Sequence, residues 1–358
     1  MKLLLLPRYD RLGASSRLRM LQYIPFLTQQ GLEVTVRPLL NNNYLEVLYQ
    51  RGKRLPGTVA AAYARRLITL LTCRDNDLVW IEKELLPWFP ASLEHLLLGH
   101  RVPYVVDYDD ATFHNYDRHP NPLVRRLFGR KIDRIMSHAA WVVAGNEYLA
   151  ERARCAGARR VTVLPTVIDL DRYPNPTSVR PPRPFTIGWM GSPSTRRYLE
   201  AIRPALARMS SLHAAKVVLI GSGAVRWEDV DVEVRPWSET SEVADLRSCD
   251  VGIMPLDDTP WERGKCGYKL IQYMACGLPV VASPVGANCS IVRDGETGYL
   301  ADTPEAWYRA LDRLGMDSLL RQQMGAAGRL RVETSCCLQK TGPLLLDGFH
   351  QIIAPRGG

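Results

Sequence analysis

Short apolar runs separated by helix-like segments recur along this chain of 358 residues, and they come in two series. The first series is KLLLLP (2–7), LEVTVRP (32–38), DLVWIEK (77–83), YVVDYDD (104–110), WVVAGN (141–146) and VTVLPT (161–166). Strands that are apolar throughout and alternate with helices indicate a parallel sheet covered on both faces, where neither side of a strand meets water. After the first strand, Ser15 and Ser16 can cap a helix running through Leu18, Leu21 and Ile24, which Gly31 ends. PNPTSVRPPRP (174–184) then puts five prolines in eleven residues, a density that neither a helix nor a central strand tolerates. Beyond it the alternation restarts with FTIGWMG (185–191), KVVLIGSG (216–223), VEVRPW (232–237), DVGIMPL (250–256), PVVASPVG (279–286) and GYLA (298–301). The expected fold is α/β, two Rossmann-like doubly wound domains facing across a cleft. Residues 1–175 form the first domain, 176–184 a proline-rich linker and 185–340 the second domain, with 341–358 a helix packing back on the first.

No apolar stretch approaches the ~18 residues of a membrane span, and the four leucines after Lys2 are too few for a signal segment. The reading is a soluble, cytoplasmic protein. Eight scattered cysteines show neither a CxxC pair nor a zinc spacing, so reduced thiols and no metal are expected. Charge is uneven: residues 1–170 hold 24 lysines and arginines against 16 acids, which is +8 of the chain's +9. Arg51, Lys53, Arg54, Arg65 and Arg66 form one basic group, and Arg125, Arg126, Arg130, Lys131 and Arg134 another. With no nucleic-acid module present, an anionic membrane surface is the partner this charge fits, attached electrostatically and reversibly, and nucleic acid is not.

The chemistry concentrates in DVGIMPLDDTPWERGKCGYKLIQYMACGLPVVASPVG (250–286). Gly264 and Gly267 flank Lys265 and Cys266 at the start of a short helix, whose free N–H groups and dipole can hold a diphosphate, with Lys265 adding charge. On that helix Lys269 and Gln272 share a face that can turn toward a ligand. In the first half, Gly13 beside Ser15 and Ser16 lets backbone approach a ligand. DYDDATFH (107–114) follows a strand, so Asp109, Asp110 and His114 are candidates to position or deprotonate a hydroxyl. Asp107-Tyr108-Asp109 also reads as a D-x-D metal ligand set.

YMACGLPVVAS (273–283) and DGETGYLA (294–301) resemble the signature region of family-four glycosyltransferases, retaining enzymes of the GT-B fold. The resemblance implies sugar transfer from a nucleoside diphosphate sugar, a co-substrate rather than a cofactor, without a metal. It places Gly191, Ser192, Arg196 and Arg197 at the donor phosphates, with Lys265, Cys266, Gly267, Tyr268, Lys269 and Gln272 also at the donor. It aligns Asp109 and Asp110 with the family's His-Asp pair. Both glutamates of the family's motif are absent: their positions fall at Gly264, two residues after Glu262, and at Gln272. The implied acceptor is a lipid-linked saccharide of cell-envelope or exopolysaccharide assembly. An epimerase or hydrolase acting on the nucleotide sugar, and a binding protein that has lost catalysis, are the competing functions.

Overall fold

The computed structural model describes residues 1–51, 56–98, 102–175 and 183–354. Most of the expected linker, at 176–182, and Lys53 and Arg54 lie outside the described residues. The chain divides into two compact units. The first comprises Met1–Thr166, Gly264–Cys266 and Thr341–Gly358; the second comprises Val167–Arg263 and Gly267–Lys340.

The first unit carries strands β1 (Lys2–Leu6), β2 (Glu33–Val36), β3 (Leu78–Glu82), β4 (Tyr104–Tyr108), β5 (Trp141–Ala144) and β6 (Val161–Val163). They form one parallel sheet in the order β2-β1-β3-β4-β5-β6. The middle strands β3, β4 and β5 are buried at every residue, as their largely apolar sequences require, with Glu82 and Asp107 the two charged exceptions. The stretch from Thr341 belongs here: Phe349 packs its ring 5.4 Å from Trp80 and 6.1 Å from Trp141, and Thr341 shares a 2.9 Å hydrogen bond with Tyr23.

The second unit carries β7 (Thr186–Met190), β8 (Lys216–Ile220), β9 (Val232–Arg235), β10 (Val251–Met254), β11 (Val280–Ala282) and β12 (Gly298–Leu300). Its sheet is also parallel, in the order β12-β11-β10-β7-β8-β9. The order reverses between β1 and β3 in the first unit and between β7 and β10 in the second. Such a switch point sends the flanking loops in opposite directions and opens a crevice at the carboxyl ends of the strands.

One local expectation is corrected. The helix after β1 is not continuous: it runs Ala14–Arg19, passes through a tight turn at Leu21–Tyr23, and resumes as Ile24–Gln29. Pro25 has no N–H to donate and its ring would crowd the carbonyl of Leu21, so one regular helix cannot pass. Nor do Ser15 and Ser16 cap it, since the residue at the cap is Gly13 and no side chain bonds there. Among the described residues no helix is long and apolar enough to cross a membrane.

Candidate active site

In the first unit the carboxyl ends of β1, β3 and β4 converge on a dense set of charges. Ser16 is buried and donates its hydroxyl to Glu82 at 2.5 Å, while Glu82 also accepts the N–H of Arg8 at 2.8 Å. Arg19 grips Asp107 with two bonds of 2.7 and 3.1 Å and reaches the Leu164 carbonyl at 2.7 Å. Lys83 stands one residue beyond β3 with its ammonium 2.8 Å from Asp109 and 3.5 Å from Asp110. Its backbone is left-handed, φ 63°, a conformation that a side-chain-bearing residue holds only where its surroundings enforce it.

The two neighbouring aspartates are driven apart. Burial pushes both upward, but the Lys83 ammonium reverses this for Asp109 and holds its carboxyl below the ordinary value. For Asp110 burial prevails over Lys83, the charge of Asp109 adds to it, and the pKa is raised. Asp110 is also the more open, its side chain 29% exposed against 12% for Asp109. Opposed shifts of this kind in adjacent carboxyls are what an acid–base pair requires, one group able to exchange a proton beside one that stays charged.

Other first-half candidates land elsewhere. His114 has both ring nitrogens engaged, Nδ1 with Asp117 and Nε2 with Tyr148, each at 2.8 Å, and burial lowers its pKa. It braces a short helix and has no nitrogen left for a substrate. Gly13 is explained by packing, because a Cβ there would sit 2.4 Å from that of Tyr9. The D-x-D reading fails on neutralisation: Asp107 is held by Arg19 and Asp109 by Lys83, so neither carboxylate is left to a cation.

Gly264–Cys266 belongs to the first unit, not with the rest of the segment it was read in. The Lys265 carbonyl accepts from the Asn146 side chain at 2.9 Å, the Cys266 thiol donates to the Asp109 carbonyl at 3.1 Å, and a Cβ on Gly264 would strike Ala111. Cys266 is thus a buried packing residue whose thiol burial pushes upward, and the Lys265 charge acts on Asp110, drawing its pKa down.

In the second unit the loop after β7 is closed by its own hydroxyls: the Ser192 N–H donates to the Thr195 hydroxyl at 3.1 Å, and Ser192 pairs with Ser194 at 2.9 Å. Arg196 binds the Ala224 carbonyl, while Arg197 stays exposed, 3.4 Å from Glu262. Glu262 is buried and further bound by Tyr198 and Thr259. Gly267 caps the helix Tyr268–Ala275 with φ 62°, and a Cβ there would meet Ile291. Lys269 lies over the Trp189 ring, 4.8 Å from its centre, and Tyr268 is half-buried. Gln272 does not turn outward: it is buried and donates to the Tyr173 hydroxyl at 2.8 Å, which in turn donates to Glu242 at 3.2 Å. Residues three apart sit only about 60° apart round a helix, yet Lys269 lies over Trp189 while Gln272 is spent on Tyr173.

Lys83, Arg19 and Glu82 were not singled out from the sequence. Their signal was legible in IEKE (81–84), charges set directly behind an apolar strand, where a parallel sheet places its crevice. Both basic groups are also corrected, each at one residue. Lys131 is buried, 2.7 Å from Glu84 and 2.8 Å from Glu94, and Arg66 is buried against the Pro7 carbonyl at 2.9 Å.

Residues 184–317 match the family model described as Glycosyl transferases group 1. D-inositol 3-phosphate glycosyltransferase of Paenarthrobacter aurescens is 32% identical over 111 residues, 30% of this chain and 26% of that protein. The enzyme of the same name from Stackebrandtia nassauensis is 33% identical over 125 residues, 34% of this chain and 26% of that protein. The chain therefore spans about a quarter of the length of these curated relatives. Across nearly its whole length it is similar in fold to sucrose-phosphate synthase from Thermosynechococcus elongatus (TM-score 0.74, 15% identity, 99% of both chains). Anabaena HepE in complex with UDP-glucose is a further likeness (TM-score 0.72, 15% identity, 98% of this chain and 100% of that one). The fold is two parallel-sheet α/β units with GT-B glycosyltransferases as its structural neighbours.

Proposed function

We propose that this protein is a retaining glycosyltransferase that moves a sugar from a nucleoside diphosphate sugar to an acceptor hydroxyl. The observation that carries the reading is the match of residues 184–317, most of the second unit, to glycosyl transferases of group 1. UDP-glucose bound to a protein of the same fold supports a nucleotide-sugar donor. The second unit binds the donor: the N–H groups that open the helix Tyr268–Ala275, with Gly267, Lys269 and the exposed Arg197, meet the diphosphate charge that grows as the sugar departs. Gly191, Ser192 and Arg196 shape the neighbouring loop. In the first unit Asp110 takes or positions the proton of the acceptor hydroxyl, Asp109 stays ionised beside Lys83, and Lys265 tunes Asp110. No metal or cofactor is needed in this scheme.

The acceptor is a lipid-linked saccharide of envelope or exopolysaccharide assembly, and the protein works at the inner face of the cytoplasmic membrane. The +8 excess of residues 1–170 supports an anionic partner. A second reading has one observation in its favour: with Gly264 and an inward-turned Gln272 at the two glutamate positions, the protein binds a nucleotide sugar without turning it over. Labelled donor incubated with and without membrane lipid separates the two. Acceptor-dependent label transfer is the expected result; saturable binding with neither transfer nor cleavage would replace transferase with binding protein.

A further inference from the structure

The first unit presents an apolar surface that its own core does not use. The helix Pro56–Leu71 buries Ala62, Arg66 and Leu70, yet its opposite face is also apolar, with Ile68 63% and Leu71 66% exposed. The turn after β3 adds Trp88 and Phe89, nearly half exposed, and the helix Pro122–Phe128 adds Leu123 and Leu127. These parts are joined. Tyr63 of the first helix packs 5.6 Å from Phe89 and donates to the Pro87 carbonyl at 2.9 Å. Trp88 stacks edge-on against Tyr116 at 5.1 Å and His119 at 5.8 Å, and Arg125 holds the His119 carbonyl at 2.6 Å.

The outward pose of Trp88 is enforced. Its backbone is left-handed, φ 66°, one of only three such non-glycine residues among those described. The turn is fixed from below: Lys131 donates to the Leu86 carbonyl at 2.6 Å, Glu94 accepts the N–H groups of Leu85 and Leu86, and Tyr116 accepts that of Trp88. A strained turn held by buried charges to keep an indole in solvent calls for an apolar occupant.

Charge selects the occupant. Residues 51–74 and 118–132 contain no acid, and Arg65, Arg118, Arg125, Arg126 and Arg130 are exposed around the apolar patch. A second copy docked isologously would set arginine against arginine, whereas an anionic lipid surface accepts both the arginines and the apolar side chains. We propose that Ile68, Leu71, Trp88, Phe89, Leu123 and Leu127 insert into the interface of an anionic bilayer, with the arginines bound to its headgroups. This deepens the peripheral attachment proposed above and replaces purely electrostatic contact with shallow insertion, which leaves a salt-resistant component.

The test is sedimentation of the full chain with vesicles of phosphatidylcholine and phosphatidylglycerol, paired with quenching of tryptophan fluorescence by brominated lipid. Ile68→Ser with Leu71→Ser, both at exposed positions, should weaken binding about tenfold at moderate salt, with headgroup attraction left intact. Trp88→Phe should retain most binding and lose most of the quenching. Insertion is overturned if the serine variant sediments like the parent, or if brominated lipid quenches the parent and Trp88→Phe alike. A parent that binds no vesicle would remove the peripheral attachment as well. A parent that is dimeric in ultracentrifugation, with a monomeric serine variant, would assign the patch to a second copy instead.

Discussion

The two units share a parallel sheet and a switch point, yet they build their crevices from opposite materials. At the carboxyl edge of the first sheet ion pairs dominate: Lys83 with Asp109 and Asp110, Arg19 with Asp107, Lys131 with Glu84 and Glu94. At the second, the loop after β7 is held by serine and threonine hydroxyls, and the helix Tyr268–Ala275 offers backbone N–H groups behind a glycine. A crevice of fixed opposed charges can divide a proton between two carboxyls. One of backbone dipoles with a few cations, Lys269 and Arg197, can receive an anion that brings its own charge and takes it away again. The topology leaves room for either, and side chains at the strand ends decide which.

If that contrast is right, the largest loss follows Asp110→Asn. Acceptor-dependent turnover should fall by about 10²–10⁴-fold, the range for a positioned acid–base group, while donor affinity measured by titration stays at the parent value. The pH profile sharpens this. Since the raised Asp110 must be ionised to act as a base, the parent rate should drop as pH falls through a point above the ordinary aspartate value of 3.8, and the variant's residual rate should lack that limb. An unchanged turnover would move the chemistry out of the first unit.

Next comes Lys83→Ala, which leaves the half-buried Asp109 and the more open Asp110 without their cation. Breaking such a pair costs roughly 3–5 kcal/mol, to be read by urea denaturation, and a loss near zero would mean that water solvates the site. A smaller effect is expected in the second unit from Gln272→Glu. It puts a glutamate at the position where the resemblance implies one, but it removes the amide donor to Tyr173, whose own proton already goes to Glu242. Two acceptors facing each other should cost about 1–3 kcal/mol, so the variant should melt lower, not be silently tolerated. Smallest of all is the effect of a chelator. With Asp107 and Asp109 each claimed by a cation, excess chelator should leave the transfer rate unchanged, and rescue by magnesium would break the scheme.

The sheets were legible in the sequence because a strand buried on both faces must be mostly apolar, whatever charge it carries at its end. LVWIE, YVVDY and WVVA announce themselves, as does the glycine-bounded helix YKLIQYMA. What sequence did not reveal is where a charge points. Arg125, Arg126, Arg130 and Lys131 read as one basic surface group, but Gly129 lies between two helices, and Lys131 alone of the four turns inward to Glu84 and Glu94. Charged residues look alike in sequence whether they meet water or a buried partner. Lys83 shows the same limit, since its strained backbone and paired aspartates depend on residues 26 and 27 positions further on. Gln272 was misread because its partner Tyr173 lies 99 residues away.

The return of the chain at Thr341 bears on how the protein is made. Phe349 is the residue that covers Trp80 and Trp141, and it emerges from the ribosome long after the strands that carry them. At ~5–20 residues per second, roughly 10–40 s of synthesis separate the end of β6 from the arrival of that helix. Over that interval the second unit is made in full, to Lys340, whereas the first waits with two indoles uncovered. Birth order and folding order are therefore inverted: the half that leaves the ribosome first is finished last, and its window for chaperone capture is as long as the second half takes to translate.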